Sequence, residues 1–93
     1  MIISVKNLNG TADRMPKGTY YSWKQWWEAK KYKTFPYFCS TYGCSNNAEV
    51  GAHVQKVYEG NEWYIVPLCK SCNNKPSCEH FSVQGASLQA INS

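Results

Sequence analysis

The sequence predicts a small α+β domain on three observations: a short chain rich in aromatic residues, a helix-capping pattern followed by two strand patterns, and two closely spaced pairs of cysteines. The chain has 93 residues, 43% of them hydrophobic and 15% aromatic, with four Trp and seven Tyr. That length gives room for one hydrophobic core, so residues 1–93 are expected to form a single domain, and the aromatic content excludes a disordered tail. Composition divides it into a basic, aromatic, helical extension over 1–36, a cysteine-bearing module over 37–80, and a tail over 81–93 packed back on the core. Ordering a residue costs about 1.5 kcal/mol, so a core of this size comes out near zero and calls for a staple.

The elements follow in order. Ile2-Ile3-Ser4-Val5 reads as a short strand, and Asn7 to Thr11 and Pro16-Lys17-Gly18 read as turn chemistry. Ser22 is an N-cap for a helix over Trp23 to Tyr32, with Trp23, Trp26, Trp27 and Lys30 at spacings of three and four; Pro36 bars its extension. Lys30, Lys31 and Lys33 lie where cations suit the negative end of the helix dipole. Thr34 to Ala48 carries no charged side chain, holds Cys39 and Cys44, and reads as a knuckle loop. Val50, Ala52 and Val54 alternate with Gly51 and His53, Trp63 to Leu68 is β-branched and aromatic, and Glu59-Gly60-Asn61 between them forms turns, which together make a hairpin. Lys70 to Lys75 begins a short helix before Pro76; Phe81 to Val83 reads as a strand, and Leu88 and Ile91, three apart, as a last helical turn.

Charge and compartment narrow the function classes. Residues 1–38 hold seven cations against two carboxylates, whereas residues 39–93 are close to neutral, for a net charge of +4. A basic first third is compatible with phosphate contact and equally with ordinary solubility. Lys6 follows the first apolar residues too early for a secretory segment, and the longest apolar run, Tyr64 to Cys69, is far shorter than the roughly 18 residues of a membrane span. Five cysteines, an odd number, with no export signal point to a reducing cytoplasm, where paired spacings are metal ligands rather than disulfides.

Cys39 and Cys44 form one pair, Cys69 and Cys72 another, and 24 residues separate them. A tetrahedral Zn2+ takes four soft donors, and two such pairs on separate elements supply them. The expected cofactor is therefore a structural Zn2+ held by Cys39, Cys44, Cys69 and Cys72, contributing on the order of 10–16 kcal/mol to folding. Cys78 and His80 are two donors with no second pair to complete a site, a thiol and an imidazole at the edge of the fold.

A knuckle, a hairpin and a Cys-x-x-Cys at a helix start is the treble-clef order. Gly51-Ala52-His53-Val54 with Tyr64-Ile65-Val66-Pro67-Leu68-Cys69-Lys70-Ser71-Cys72-Asn73 resembles the HNH endonuclease pattern over about residues 39–75. The resemblance implies a zinc-stapled, ββα-metal-like treble clef. It implies His53 as general base on a water, and Tyr64 and Asn73 where the family has its middle asparagine and final histidine; Ala52 stands where an acidic residue often lies. Two functions are thereby open. One is a non-catalytic HNH-like protein that contacts nucleic acid or a protein partner through Lys24, Lys30, Lys31 and Lys33. The other is a divalent-metal-dependent nuclease, with Mg2+ held by Asn73 and a carboxylate such as Glu49 or Glu79. A third class, a protein-interaction module with no nucleic-acid role, needs an exposed aromatic patch. Beside its role as base, His53 reads as a core-ordering residue on the hairpin face next to the knuckle; Asn73 also reads as a cap on the following turn, and the three tryptophans as core or as a stacking platform.

Overall fold

The computed structural model describes residues 1–8, 16 and 20–91. In chain order the elements are β1 (Ile2–Asn7), α1 (Trp23–Lys31), β2 (Val50–Lys56), β3 (Trp63–Leu68), α2 (Lys70–Asn73), β4 (His80–Gln84), a 3-10 turn (Gly85–Ser87) and β5 (Gln89–Ala90). The class is α+β, as expected. All five strands form one antiparallel sheet in the order β4-β1-β2-β3-β5. Most of the turn chemistry expected over residues 7–18 lies outside the described residues. Asn7 itself is the last residue of β1 rather than a turn residue.

The entry to α1 is fixed locally. Ser22 Oγ accepts from the Gln25 N–H at 3.1 Å, and Gln25 Oε1 accepts in return from the Tyr21 N–H at 2.7 Å, so two backbone donors at the helix start find partners. The helix ends before Pro36 because Tyr32 turns into the left-handed region, φ 57°, and the Lys33 N–H closes on the Glu28 carbonyl at 3.3 Å. Glu28 then reaches forward, its Oε2 accepting from the Phe35 N–H at 2.8 Å.

The hairpin runs in register from Val50↔Leu68 to Gln55↔Trp63. Successive side chains on a strand face opposite ways, and here both faces are covered. Ala52 and Val54 of β2 and Val66 and Leu68 of β3 join Val5, Phe81, Val83, Leu88 and the buried cysteines in an inner core. On the other face Ile65 packs with Trp26, Trp27 and Phe35, and Gly51 lets the start of α1 lie against the strand. The tryptophans are thus core: Trp27 is 1% exposed and its Nε1–H donates to the Ser87 carbonyl at 2.8 Å.

The tail departs from the expected helical turn. Leu88 packs in the inner core and Ile91 against the outer one. A helix would put residues three apart on one face, so this stretch is extended, and Gln89–Ala90 pair with Ile65 and Tyr64. The loop with the first cysteine pair does more than join α1 to β2. The Ser40 N–H donates to the Pro67 carbonyl at 2.9 Å, the Gln84 N–H to the Ser40 carbonyl at 3.0 Å, and the Tyr42 N–H to the Ser82 carbonyl at 2.8 Å. Residues 40–42 therefore bridge β3 to β4, strands that β1 and β2 otherwise keep apart.

Candidate metal centre

Each cysteine pair sits on a turn that its own backbone closes. In the first, Phe38 bridges to Asn47, the Cys39 N–H donates to the Asn46 carbonyl at 2.8 Å, and the Cys44 N–H donates to the Thr41 carbonyl at 3.0 Å. Gly43 takes φ +82°, a conformation that side chains disfavour, at the tip. In the second, Cys69 leaves the end of β3 as the N-cap of α2, and its sulfur accepts from the Cys72 N–H at 3.4 Å. The Asn46 amide donates to the same sulfur at 3.7 Å. Backbone and side-chain N–H groups thus support a thiolate there, as metal-bound thiolates require.

The four sulfurs converge. Those of Cys39, Cys44, Cys69 and Cys72 all lie within 4.8 Å of one another, with Cys44 to Cys69 at 3.9 Å and Cys72 to Cys44 at 4.0 Å. A tetrahedron with metal–sulfur bonds of about 2.3 Å has edges of about 3.8 Å. These separations fit such a tetrahedron and are about twice the roughly 2.05 Å of a disulfide, and all five cysteines are free thiols. Four close thiols resist joint ionisation. Burial pushes Cys72 up to about 12, with Cys69 and Cys39 adding to the rise. At Cys44 the Asn46 backbone N–H favours the thiolate, but burial and neighbouring Cys39 outweigh it and raise the thiol. At Cys69 burial is overcome by the Cys72 N–H and the Asn46 amide, which bring it down to about 7. The anion is favoured at Cys69, whereas Cys44 and Cys72 hold their protons until a cation compensates. The donor set suits a soft or borderline divalent ion such as zinc.

The remaining predicted site residues are not drawn to this cluster. His53 alternates with Ala52 and Val54, so its ring projects to the other face of the sheet, contrary to the expected position beside the knuckle. There it is 7% exposed, with ring centroids 4.8 Å from Trp23 and 6.0 Å from Trp63. Asn73 follows Cys72 on the inner side, where its N–H donates to the Cys69 carbonyl at 3.0 Å and its own carbonyl accepts from Asn7 at 3.2 Å. The sheet stands between the two. Neither carboxylate offered for a second cation faces His53: Glu49 Oε1 accepts from the Lys70 N–H at 3.2 Å, and Glu79 pairs with Lys75 at 3.0 Å. Ala52 is buried in the inner core, and the Tyr64 hydroxyl donates to Glu62 at 3.3 Å. Cys78 and His80 are exposed and outside the four-thiol cluster.

Of the lysines expected at nucleic acid, Lys31 is committed to the fold. Its ammonium donates to the Ala86 and Leu88 carbonyls at 3.0 and 2.8 Å, and burial, with Lys33 nearby, lowers its pKa from the usual lysine value. Lys24 and Lys33 reach over the Phe35 and Trp27 rings, at 5.4 and 5.8 Å from the centroids, and Lys30 is exposed.

One residue that matters to the site was hidden in the sequence. Asn7 is 2% exposed, and its Nδ2 donates to the carbonyls of Cys72 and Lys75 at 2.9 Å, as well as to Asn73. It ties the second cysteine turn to β1. Its signal was period: Asn7 stands two positions after Val5 and four after Ile3, on the face that packs inward. No family model, curated protein or solved structure matches the chain. Among the described residues no helix is long and apolar enough to cross a membrane.

Proposed function

We propose that this chain is a zinc-stapled, HNH-like treble-clef protein that does no chemistry and contacts nucleic acid. The reading rests above all on four thiols gathered at tetrahedral spacing while His53, the one residue matching the catalytic pattern, lies buried between Trp23 and Trp63 on the far side of the sheet. The order of the parts supports the treble-clef assignment: a knuckle at 39–44, the β2–β3 hairpin, and a Cys-x-x-Cys whose first cysteine caps α2. A general base must reach a water at a scissile phosphate, and an imidazole enclosed by Trp23 and Trp63, across the sheet from Asn73, does not meet that geometry. Zinc supplies folding energy here by drawing the knuckle and α2 together. The excess of cations over the first third supports a polyanionic partner.

The test has two parts. Metal analysis of the purified protein is expected to give one zinc per chain, retained in Cys78→Ser and lost in Cys72→Ser. Plasmid incubated with Mg2+ or Mn2+ is expected to stay intact; nicking by the wild type that disappears in His53→Ala would replace this reading with a nuclease.

A further inference from the structure

The knuckle presents an unusual surface. Phe38, Tyr37 and Tyr42 are 56%, 69% and 67% exposed, and the Tyr37 and Phe38 rings meet edge to face at 4.8 Å. Phe38 lines a groove of about 420 Å³, with Pro36, Thr41, Gly43, Gln84 and Ser87 among its other walls, and Tyr37 and Tyr42 are chain neighbours of lining residues. Exposed aromatics on a small protein cost solubility, and a cluster of them marks a contact surface. Its chemistry selects the partner. From residue 29 to residue 48 the chain has three lysines and no carboxylate. The flanking carboxylates accept backbone N–H groups, Glu28 that of Phe35 and Glu49 that of Lys70. On the groove wall the Ser87 carbonyl accepts from Trp27; the Lys31 ammonium lies on the neighbouring Ala86 and Leu88 carbonyls, and Lys33 lies over the Trp27 ring. Through Ser87 the groove thus adjoins the lysines at the end of α1. The platform is also rigid, because residues 40–42 are hydrogen-bonded to both β3 and β4 and both its cysteines belong to the thiol cluster.

We propose that this groove binds single-stranded nucleic acid, with bases stacking on Phe38 and its neighbours Tyr37 and Tyr42 and phosphates facing Lys33. Exposed flat rings near cations suit unpaired bases on a polyanion; a duplex hides its base faces and offers such rings nothing to stack on. The inference rests on the nucleic-acid reading above and gives it a site and a strand preference.

The test uses the zinc-loaded full chain and fluorescein-labelled oligo(dT) and oligo(U) of twelve nucleotides, with a duplex of equal length, all followed by anisotropy across a salt series. Binding is expected to favour the single strands. Phe38→Ala and Tyr42→Ala, which remove only exposed rings, are each expected to weaken it about tenfold. Lys33→Gln is expected to flatten the log–log salt slope by about 0.7. Zinc content and near-ultraviolet circular dichroism of each variant are expected to match the wild type, so a loss of binding reports on the rings. Duplex binding that ignores both ring substitutions would overturn the groove assignment and leave the nucleic-acid reading standing. Absence of binding to all three probes would overturn both, and the aromatic face would then belong to a protein partner.

Discussion

Asn7 concentrates more of the site's order than any charged residue does. One buried amide serves three carbonyls of the turn that carries Cys69 and Cys72. Buried acceptors that lose their donor cost about 1–3 kcal/mol, so Asn7→Ala is expected to lower stability by about that amount in urea unfolding. Asn7→Asp is expected to cost more, because a carboxylate would face three carbonyl oxygens at the same place; equal midpoints for the wild type and both variants would show that the amide carries no weight. Asn7 was legible only in part. It reads in sequence as the first residue of a turn over Asn7 to Thr11, and the alternation from Ile3 through Val5, which marks it as inward-facing, spans too few residues to stand out. The thiols permit a second prediction at this scale. Cys44 and Cys72 hold their protons more tightly than an ordinary thiol, so near neutral pH metal must displace both. Zinc uptake should release at least two protons, and the apparent affinity should fall about 100-fold for each pH unit of acidification, by linkage. The metal-bound fold therefore gains stability as pH rises through neutrality and loses it in acid. Competition against a chelator of known affinity, at several pH values, reads the slope; a pH-independent affinity would mean that these thiols are not the ligands.

At the scale of elements, the close approach of α1 to β2 depends on one missing side chain. A Cβ on Gly51 would fall 2.8 Å from the Trp23 carbonyl carbon and 2.9 Å from Trp23 Cβ, so the helix backbone would have to move. Gly51→Ala is expected to cost about 1–3 kcal/mol as overpacking, although alanine ordinarily suits a strand better than glycine. A variant as stable as the wild type would show that α1 shifts freely on the sheet. The helix, its Ser22 cap, the hairpin and both cysteine turns were legible because each is specified by residues close together in the chain, the hairpin within positions 50–68 and the others within shorter spans. What escaped was the face. Alternation separates Ala52 and Val54 from Gly51 and His53, but it does not tell which set meets the knuckle when both sides of a sheet are covered. The sequence therefore put His53 beside the thiols, whereas the bulk of Trp23, Trp26 and Trp27 draws α1 over it on the opposite side.

Across the whole molecule, the contacts least visible in sequence close the fold. Ile2 pairs with Gln84, and Ser40 links Pro67 to Gln84, with no turn signal announcing either. The pairing of β1 with β4 spans nearly the full chain, and its cost in loop closure must be met by contacts that form together. The thiol cluster holds the knuckle that makes the last of these contacts, so metal and closure should be lost as one event. Bound zinc contributes on the order of 10–16 kcal/mol. Whole small proteins are stable by about 5–15 kcal/mol, so little should survive its removal. Chelation is expected to abolish the near-ultraviolet circular dichroism of the four tryptophans, although three lie in α1 across the sheet from the sulfurs. Hydrogen exchange under the same treatment should release the amides of Ser40, Tyr42 and Gln84 together with those of the β2–β3 hairpin. A metal-free chain that keeps its tryptophan signal, and protects the hairpin while only the knuckle exchanges, would show instead that the α1 core stands alone and that the metal orders a loop rather than the fold.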